Sequence, residues 1–530
     1  METGSPKGRT LKACEVLDNL HMWQAHQIAQ GIASGKVSAR EAVLACIKRI
    51  ELTHATINAV VVPRFERALE EADLADAARV RGDALAALHG VPITIKESFD
   101  LTGTATTAGL THRASHRAEN DAWVVAQLRR AGAIVLGKTN VSQLLLHDSC
   151  RNPLYGQTNN PWKTDRSPGA SSGGEAAILA VGGSTLGMGS DIGGSVRLPA
   201  GACGVNSLKP TTGRLPLDGH LSLFPDPEAM MCQPGPLARS VTDLMLAMRV
   251  LTATLSPVRE NGITPPSWPV EATELRGLRI GFYTDNGVVR PSPAIRNAVT
   301  AAARVLEEHG LSIEEWQPPN VDLIWRTYLA ILLGDGLATA RQLSQGSKLS
   351  LNVRQALLFG ALPRIAFSIA SRIFSIAGQF PFMTFCGEQY GQVLERRIHL
   401  CRTFMAAMDL ARIDAILCPV FPVPALRHRV NSFISEGLSY TAIYNFLGMP
   451  AGVVAATSVR KGEESDRAPR LDLVERAAKQ VEAQSLGLPV GVQVVARHWR
   501  EDVVLGVMSI LEEHFRRQPG YPAAPPVVDP

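Results

Sequence analysis

The chain has 530 residues, of which 45% are hydrophobic and 19% are charged, and this composition is typical of a globular protein with a large core. Its net charge of +4, from 53 basic and 49 acidic residues, is too small to favour a nucleic-acid partner. The eight cysteines include no CxxC pair, so we expect free thiols, no metal site and no disulfide framework. No apolar leader and no run of membrane-spanning length is evident, which predicts a cytoplasmic protein.

The first part of the chain carries helical patterns. Within residues 38–50, Ser38 and Glu41 have the spacing of a capping box, and apolar residues follow at helical intervals. Similar patterns predict that residues 1–80 form a largely helical N-terminal region.

Short apolar segments beyond that region predict strands that alternate with helices. Residues 90–97 alternate apolar and other side chains and bring the predicted strand to its end at Lys96. Further strands are predicted in the segments 132–140, 278–285, 311–316, 413–419 and 488–496. An amphipathic helix is predicted between Ser292 and Leu306, closed by Gly310. This alternation predicts an α/β fold with a mostly parallel or mixed sheet.

Residues 356–385 are apolar, with interruptions at Pro363, Arg364, Arg372 and Pro381. Two interpretations stay open. The segment forms a pair of core helices, or it forms an exposed apolar cap that lies on a membrane or covers an apolar substrate. The two arginines and the prolines exclude a spanning helix.

Glycine and serine are unusually frequent between Pro168 and Gly204, and two known motifs can be tested there. The segment 169–173, GASSG, matches G-x-S-x-G, but no strand precedes it as an α/β-hydrolase elbow requires. The glycines at 187, 189 and 193 do not have the G-x-G-x-x-G spacing of a dinucleotide-binding loop. Both readings are therefore disfavoured.

The segment 191–197, DIGGSVR, offers a serine nucleophile at Ser195, and such a serine needs a base. No histidine lies in the glycine-rich stretch, and we assign His89, His147 and His498 to structural or surface roles. A lysine serves instead where burial lowers its pKa. Lys96 is the stronger candidate, because it ends a predicted buried strand. Lys209 is a rival without a predicted strand to hold it.

The same segment offers four consecutive backbone amides, from Ile192, Gly193, Gly194 and Ser195. Glycines allow such a run to turn so that several N–H groups point at one place. A developing oxyanion is stabilised in this way. The pattern therefore predicts an oxyanion hole beside Ser195.

Lys96, Ser171 and Ser195 together resemble the serine–serine–lysine triad of the amidase signature family. Ser171 follows Lys96 by 75 positions, inside a glycine–serine loop, and Ser195 follows 24 positions later in DIGGS. The resemblance covers nearly the whole chain and is most like the fatty-acid amide hydrolase branch, as the segments SYTAIYNFLGMPAGVV and GLPVGVQVVA indicate. It implies a large twisted mixed sheet sandwiched between helices, in one domain spanning 1–530. The segment 345–390 then corresponds to a cap-like insertion.

The resemblance also implies a role for each residue. Ser195 is the expected nucleophile, Ser171, on a cis peptide bond, relays the proton, and neutral Lys96 is the base. Ser172, Asp191 and Arg197 are expected to support these groups, and Leu145 and Leu146 to lie near the scissile carbonyl and acyl channel. One departure from the family pattern is Ala170, whose Cβ replaces a glycine in the serine loop.

These residues predict a hydrolase of C–N bonds in acyl amides and anilides, with carbamates and esters as further substrates, and without a cofactor. One alternative is the glutaminase-type subunit of a tRNA-dependent amidotransferase. Another is a non-catalytic, membrane-associated protein on the same fold. The expected partner is a small-molecule substrate, and a homodimer and a peripheral membrane contact through 356–385 stay open.

Overall fold

The computed structural model describes residues 19–146, 149–223, 231–253, 274–360, 390–428, 434–468 and 472–526. Its α-helices are α1 (Ala25–Ala33), α2 (Ala39–Ile57), α3 (Phe65–Arg81), α4 (Trp123–Arg130), α5 (Gly173–Ala180), α6 (Arg197–Cys203), α7 (Val241–Thr252), α8 (Pro293–Glu308), α9 (Val321–Leu332), α10 (Ala338–Leu343), α11 (Leu351–Gly360), α12 (Tyr390–Leu410), α13 (Ser439–Phe446), α14 (Leu473–Glu482) and α15 (Glu501–Phe515). Its strands are β1 (Val60–Pro63), β2 (Pro92–Lys96), β3 (Ile134–Thr139), β4 (Arg151–Asn152), β5 (Gly156–Gln157), β6 (Leu186–Asp191), β7 (Asn206–Lys209), β8 (Gln233–Ala238), β9 (Arg279–Phe282), β10 (Ser312–Glu315), β11 (Ala415–Pro419), β12 (Ala451–Ser458) and β13 (Pro489–Ala496).

Eleven of these strands form one mixed sheet in the order β1-β3-β2-β6-β8-β7-β12-β13-β11-β9-β10. The neighbours β3, β2 and β6 run parallel, as do β11, β9 and β10, whereas the strands between β6 and β11 pair antiparallel. Helices pack on this sheet, so the predicted α/β class and the single large mixed sheet are confirmed.

The predicted strands in 90–97, 132–140, 278–285, 311–316, 413–419 and 488–496 are β2, β3, β9, β10, β11 and β13. Of the predicted N-terminal region 1–80, residues 1–18 lie outside the described residues. The described remainder contains α1, α2 and most of α3, and β1 lies between α2 and α3. The capping box forms as predicted, since the Ser38 amide donates to Glu41 Oε2 at 2.7 Å and the Glu41 amide donates to Ser38 Oγ at 3.0 Å.

The glycine-rich stretch contains a strand that the sequence patterns did not reveal. Strand β6 has the sequence LGMGSD and is buried along its whole length. A Cβ at Gly187 would lie 2.3 Å from Glu175 Oε2, and one at Gly189 would lie 2.8 Å from Ser172 Oγ. The missing side chains therefore let α5 approach the strand closely.

The two faces of the sheet carry separate apolar clusters. Along β11, Ala415 and Leu417 belong to one cluster, while Ile416 and Cys418 belong to the other. Successive strand residues point to opposite faces, so the clusters lie on opposite sides of the sheet. The second cluster also contains Leu144, Met231 and Tyr328, and the partly buried Leu146 and Ile192 pack against it.

The topology brings several strand ends to one edge. Because β3, β2 and β6 are parallel neighbours, their last residues Thr139, Lys96 and Asp191 lie at the same edge of the sheet. Strand β7 runs in the same direction, since β8 is antiparallel to both β6 and β7. Lys209 is the last residue of β7, so the expectation that no strand holds this lysine is wrong.

Most of the apolar segment 356–385, and of the wider insertion 345–390, lies outside the described residues, which stop at 360 and resume at 390. Within the described ranges, no helix combines the length and apolar character needed to cross a bilayer. The cap interpretation of this segment stays a prediction.

Candidate active site

Lys96 lies at the centre of a hydrogen-bonded group at this edge. It is completely buried, and its Nζ lies 2.7 Å from Ser171 Oγ, 2.9 Å from Ser190 Oγ and 3.2 Å from the Ser190 carbonyl oxygen. Burial lowers the pKa of Lys96 to about 8. A large share of the amine is therefore neutral at mildly alkaline pH.

Ser171 is held by a turn that requires one glycine. Gly169 has φ of +79°, and a Cβ there would lie 2.8 Å from the backbone of Pro199. The bond between Ala170 and Ser171 is cis, as the resemblance implied. Ala170, which stands where the family pattern has a glycine, is buried. Ser171 nevertheless remains in hydrogen-bond contact with Lys96.

Ser195 follows β6 and precedes α6 on a partly exposed loop. Its carbonyl oxygen accepts from the amide of Ser172, at 3.1 Å, which ties the two serine loops together. The hydroxyl of Ser172 points to the Ser190 carbonyl oxygen at 3.4 Å. The structure thus brings Lys96, Ser171, Ser172 and the Ser195 loop into one region.

The glycines of this loop are packed against two helices. A Cβ at Gly193 would lie 2.6 Å from the Tyr328 hydroxyl of α9. Gly194 has φ of +125°, and a Cβ there would lie 2.5 Å from Thr441 Oγ1 of α13. Both helices also hold the loop by hydrogen bonds, because Tyr328 donates to the Ile192 carbonyl at 3.0 Å and Thr441 donates to that of Gly193 at 2.8 Å.

The four amides predicted to form an oxyanion hole are not equivalent. The Gly194 amide donates to Asp191 Oδ1 at 2.7 Å and is therefore already occupied. The amides of Ile192, Gly193 and Ser195 have no acceptor in the part of the chain that the structure describes. The Gly194 amide is thus engaged within the loop in this structure, and the oxyanion hole formed by these four residues stays a prediction.

A buried ion pair between Asp191 and Arg197 holds the loop between β6 and α6. Arg197 Nε and Nη2 donate to the two carboxylate oxygens of Asp191, each at 3.0 Å, and both side chains are completely buried. Burial by itself raises the pKa of Asp191, but the Arg197 charge and hydrogen bonds hold it well below its usual range. Asp191 is therefore ionised throughout the working pH range and keeps accepting from the loop.

Arg197 reaches three groups that the sequence patterns did not identify. It donates to the Thr441 carbonyl at 3.0 Å, to Gln493 Oε1 at 2.7 Å and to Asn445 Oδ1 at 2.5 Å. Asn445 also donates to Asp191 Oδ1 at 3.0 Å. The only signal in the sequence was a polar residue inside each of two apolar segments, which does not identify the partner.

The predicted substrate-contacting leucines lie at a short 3-10 turn, Gln143–Leu145. Leu145 has φ of +56° and is partly exposed. Leu146 and Ile192 pack against one apolar cluster, which also contains Tyr328.

The histidines assigned to structural roles lie elsewhere. His89 Nε2 lies 3.0 Å from the Ala75 carbonyl oxygen and His498 Nε2 lies 2.7 Å from that of Leu447, whereas His147 lies outside the described residues. A different histidine, His220, which the sequence analysis did not single out, contacts Ser190. Among the described residues, no group of three or more His, Cys, Asp or Glu side chains could hold a metal ion.

The rival base Lys209 is buried but faces another partner. Its Nζ donates to the Pro210 carbonyl oxygen at 2.8 Å. Burial, followed by the nearby Arg197 charge, lowers its pKa to about 7. Lys96, not Lys209, is the lysine in hydrogen-bond contact with Ser171.

The sequence and the fold are similar to those of known proteins. A family model described as Amidase matches residues 41–505. The chain is 32% identical to fatty acid amide hydrolase 1 of Caenorhabditis elegans, over 92% of this chain and 87% of the relative. It is 30% identical to a glutamyl-tRNA(Gln) amidotransferase subunit of Chromohalobacter salexigens, over 93% of this chain and 97% of the relative. A solved structure of fatty acid amide hydrolase aligns with a TM-score of 0.80 and 25% identity, covering 97% of this chain and 91% of that chain.

These similarities extend over nearly the whole chain, including both serine loops and the strand that carries Lys96. The chain belongs to the amidase family. It is a hydrolase that acts on the C–N bonds of amides.

Proposed function

We propose that this amidase works through an acyl-enzyme on Ser195, with Ser171 as proton relay and Lys96 as base and then acid. The observation that carries the proposal is the 2.7 Å contact between the buried Lys96 Nζ and Ser171 Oγ. A neutral amine in that position can accept a proton from Ser171. The link between the Ser172 amide and the Ser195 carbonyl keeps the two loops side by side.

In the proposed reaction, the proton that Ser195 loses is returned to the leaving nitrogen. As Ser195 Oγ attacks the carbonyl carbon, its proton passes to Ser171 and the Ser171 proton passes to Lys96. Collapse of the tetrahedral intermediate breaks the C–N bond, and Lys96 returns the proton through Ser171 to the leaving nitrogen. Water then attacks the acyl-enzyme by the same relay, which releases the carboxylic acid and restores Ser195.

The proposed oxyanion hole uses the amides of Ile192, Gly193 and Ser195, which lack acceptors among the described residues. A single donor of this kind contributes about 3 kcal/mol to transition-state stabilisation. The Asp191–Arg197 pair holds the loop that presents these amides, because Asp191 accepts from Gly194 at 2.7 Å and from Val196 at 3.1 Å.

We further propose that the acyl group of the substrate is apolar. Tyr328 belongs to the apolar cluster on one face of the sheet, and the partly buried Leu146 and Ile192 pack against that cluster. These side chains supply no charge to bind a polar acyl chain. Aryl and alkyl amides are then the main substrates, and esters and carbamates present the same carbonyl to Ser195. A glutaminase would need a polar pocket instead.

The test of the proposed function measures labelling and turnover in the same preparations. Ser195→Ala is expected to lose fluorophosphonate labelling and amide hydrolysis, because no nucleophile remains. Lys96→Ala is expected to lose more amide than ester hydrolysis, since an amide nitrogen leaves only when it receives a proton. Equal loss on both substrates would contradict the acid role of Lys96, and labelling of Ser195→Ala would contradict the nucleophile.

The amidotransferase alternative has support from the 30% identity to the Chromohalobacter salexigens relative. It predicts glutamine hydrolysis that depends on partner chains. We expect instead that the isolated chain hydrolyses an aryl amide, and turnover restricted to glutamine in the presence of partners would favour the alternative. Loss of both activities in the intact chain would favour a non-catalytic role.

A further inference from the structure

His220 is linked to Lys96 of the proposed relay through the hydroxyl of Ser190. Its Nε2 is 2.9 Å from Ser190 Oγ and 3.1 Å from Ser98 Oγ. Ser190 Oγ in turn is 2.9 Å from Lys96 Nζ. A continuous chain of hydrogen bonds therefore runs from His220 through Ser190 and Lys96 to Ser171.

The backbone and the ring of His220 are both held in place. Phe99 and His220 pair as an isolated β-bridge, and their ring centroids are 4.7 Å apart. The Leu221 amide donates to the Ser98 carbonyl oxygen at 2.8 Å on the same side. These contacts aim Nε2 at the two serine hydroxyls, so the position of the ring is set by the fold.

The hydrogens of this chain can be counted. A protonated Lys96 carries three N–H groups and no lone pair, so its three oxygen neighbours, Ser171 Oγ, Ser190 Oγ and Ser190 O, must all accept. A neutral Lys96 that accepts from Ser171 has two N–H groups left for the two Ser190 oxygens. In both states Ser190 Oγ accepts from Lys96, and its own hydrogen must point elsewhere.

We propose that His220 is a positioning residue that takes this hydrogen. With its proton on Nδ1, His220 accepts the Ser190 hydroxyl at Nε2 and turns the Ser190 lone pairs toward Lys96. The lone pair of the neutral amine is then left for Ser171 alone. Without this acceptor, the Ser190 hydrogen can turn to Lys96 Nζ and compete with Ser171 for the same lone pair. This inference rests on the proposed role of Lys96 as base.

The surroundings of His220 keep it neutral, which the role requires. Burial of the ring, together with the charge of Lys96, lowers the pKa of His220 to about 3. Its Nδ1 is shielded from solvent and has no hydrogen-bond partner among the described residues. The imidazole therefore contacts the relay through Nε2. The tautomer that the role requires leaves the Nδ1 hydrogen without an acceptor among the described residues, a cost that the contact with Ser190 must offset.

The experiment compares His220→Leu with His220→Gln, because glutamine can place an acceptor oxygen near the position of Nε2. For His220→Leu we expect kcat/KM on an aryl amide to fall about tenfold or more. In this variant the Ser190 hydroxyl can donate to neutral Lys96, which stabilises the neutral amine and lowers its pKa. The midpoint of the pH profile should therefore move to lower pH. His220→Gln should recover most of the rate and the wild-type midpoint, with thermal melting confirming that each variant is folded.

A double-mutant cycle with Ser190→Ala separates positioning from a general structural effect. Without the Ser190 hydroxyl there is nothing for His220 to orient, so adding His220→Leu to Ser190→Ala should change kcat/KM less than about twofold. Equal losses in both backgrounds, or an unchanged midpoint in His220→Leu, would overturn the inference. A wild-type profile with no midpoint near pH 8 would instead contradict the base role of Lys96, and the two failures are thus distinguishable.

Discussion

Lys96 is a buried amine whose neighbours do not stabilise its charge strongly. In the described part of the chain its hydrogen-bond partners are hydroxyl and carbonyl oxygens of Ser171 and Ser190, not carboxylates. The carboxylate of Asp191 is engaged by Arg197, which neutralises much of its effect on the lysine. Burial therefore has the largest effect on the pKa of Lys96 and lowers it to about 8. This value is close to neutral pH, which suits a general base.

The pH dependence of amide hydrolysis should report this amine directly. Only neutral Lys96 accepts a proton, and its pKa of about 8 leaves it mostly protonated at pH 6. We expect log kcat/KM to rise with a slope near one up to about pH 8 and then to level off. Melting temperatures over the same range control for unfolding, and a flat profile between pH 6 and 9 would contradict the assignment.

At the scale of elements, the loop between β6 and α6 is shaped by its contact with α9. The Gly193 position has no room for a methyl group because the Tyr328 hydroxyl would lie 2.6 Å from it. That hydroxyl is also the donor to the Ile192 carbonyl oxygen. Helix α9 therefore helps to hold the backbone of this loop in position through Tyr328.

We expect Gly193→Ala to lower both the melting temperature and amide turnover, because the new Cβ displaces the loop or the tyrosine. Tyr328→Phe removes the hydroxyl oxygen that the new Cβ would clash with. Adding it to Gly193→Ala should therefore restore part of the melting temperature and part of the amide turnover. Gly194→Ala is the matched control, since its clash is with Thr441 and its φ is +125°. Rescue of Gly194→Ala by Tyr328→Phe, or failure to rescue Gly193→Ala, would contradict this packing account.

The elements that could be predicted from the sequence are those whose burial follows a simple period. Strands β2 and β13 carry apolar residues without interruption by glycine pairs, and both were predicted. Strand β6 was not, because Gly187 and Gly189 are there for close helix contact and weaken the strand pattern. The proposed triad Lys96, Ser171 and Ser195 follows from the resemblance to a family pattern. The contacts of Asn445, Gln493 and His220 join segments far apart in the chain, which periodicity cannot show.

At the scale of the whole molecule, the topology collects buried amines at one edge of the sheet. Lys96 and Lys209 end β2 and β7, which run in the same direction, and both are completely buried. An unfolded chain exposes these amines to water and binds protons that the folded chain excludes. Burial of these two lysines therefore lowers the free energy of unfolding at neutral pH, and the size of this effect changes with pH.

Lys209 allows this destabilisation to be measured without removing the proposed base. Its pKa is about 7 in the folded chain against an ordinary value of 10.5, so between these values only the unfolded chain holds the proton. The free energy of unfolding of the wild type therefore rises with pH relative to a variant without this amine, by about 1.4 kcal/mol for each pH unit. Below pH 7 both states are protonated, and the difference between wild type and variant is constant.

We expect Lys209→Met, which preserves side-chain volume, to raise the melting temperature most at pH 6 and 7 and progressively less at pH 8 and 9. Lys461→Met is the control, because Lys461 is exposed, and it should change the melting temperature little at any of these pH values. A melting difference for Lys209→Met that is the same from pH 6 to 9 would show that this amine keeps its proton on folding. In that case desolvation at the end of β7 is weaker than its complete burial implies, and Arg197 would face an uncompensated second cation beside Asp191.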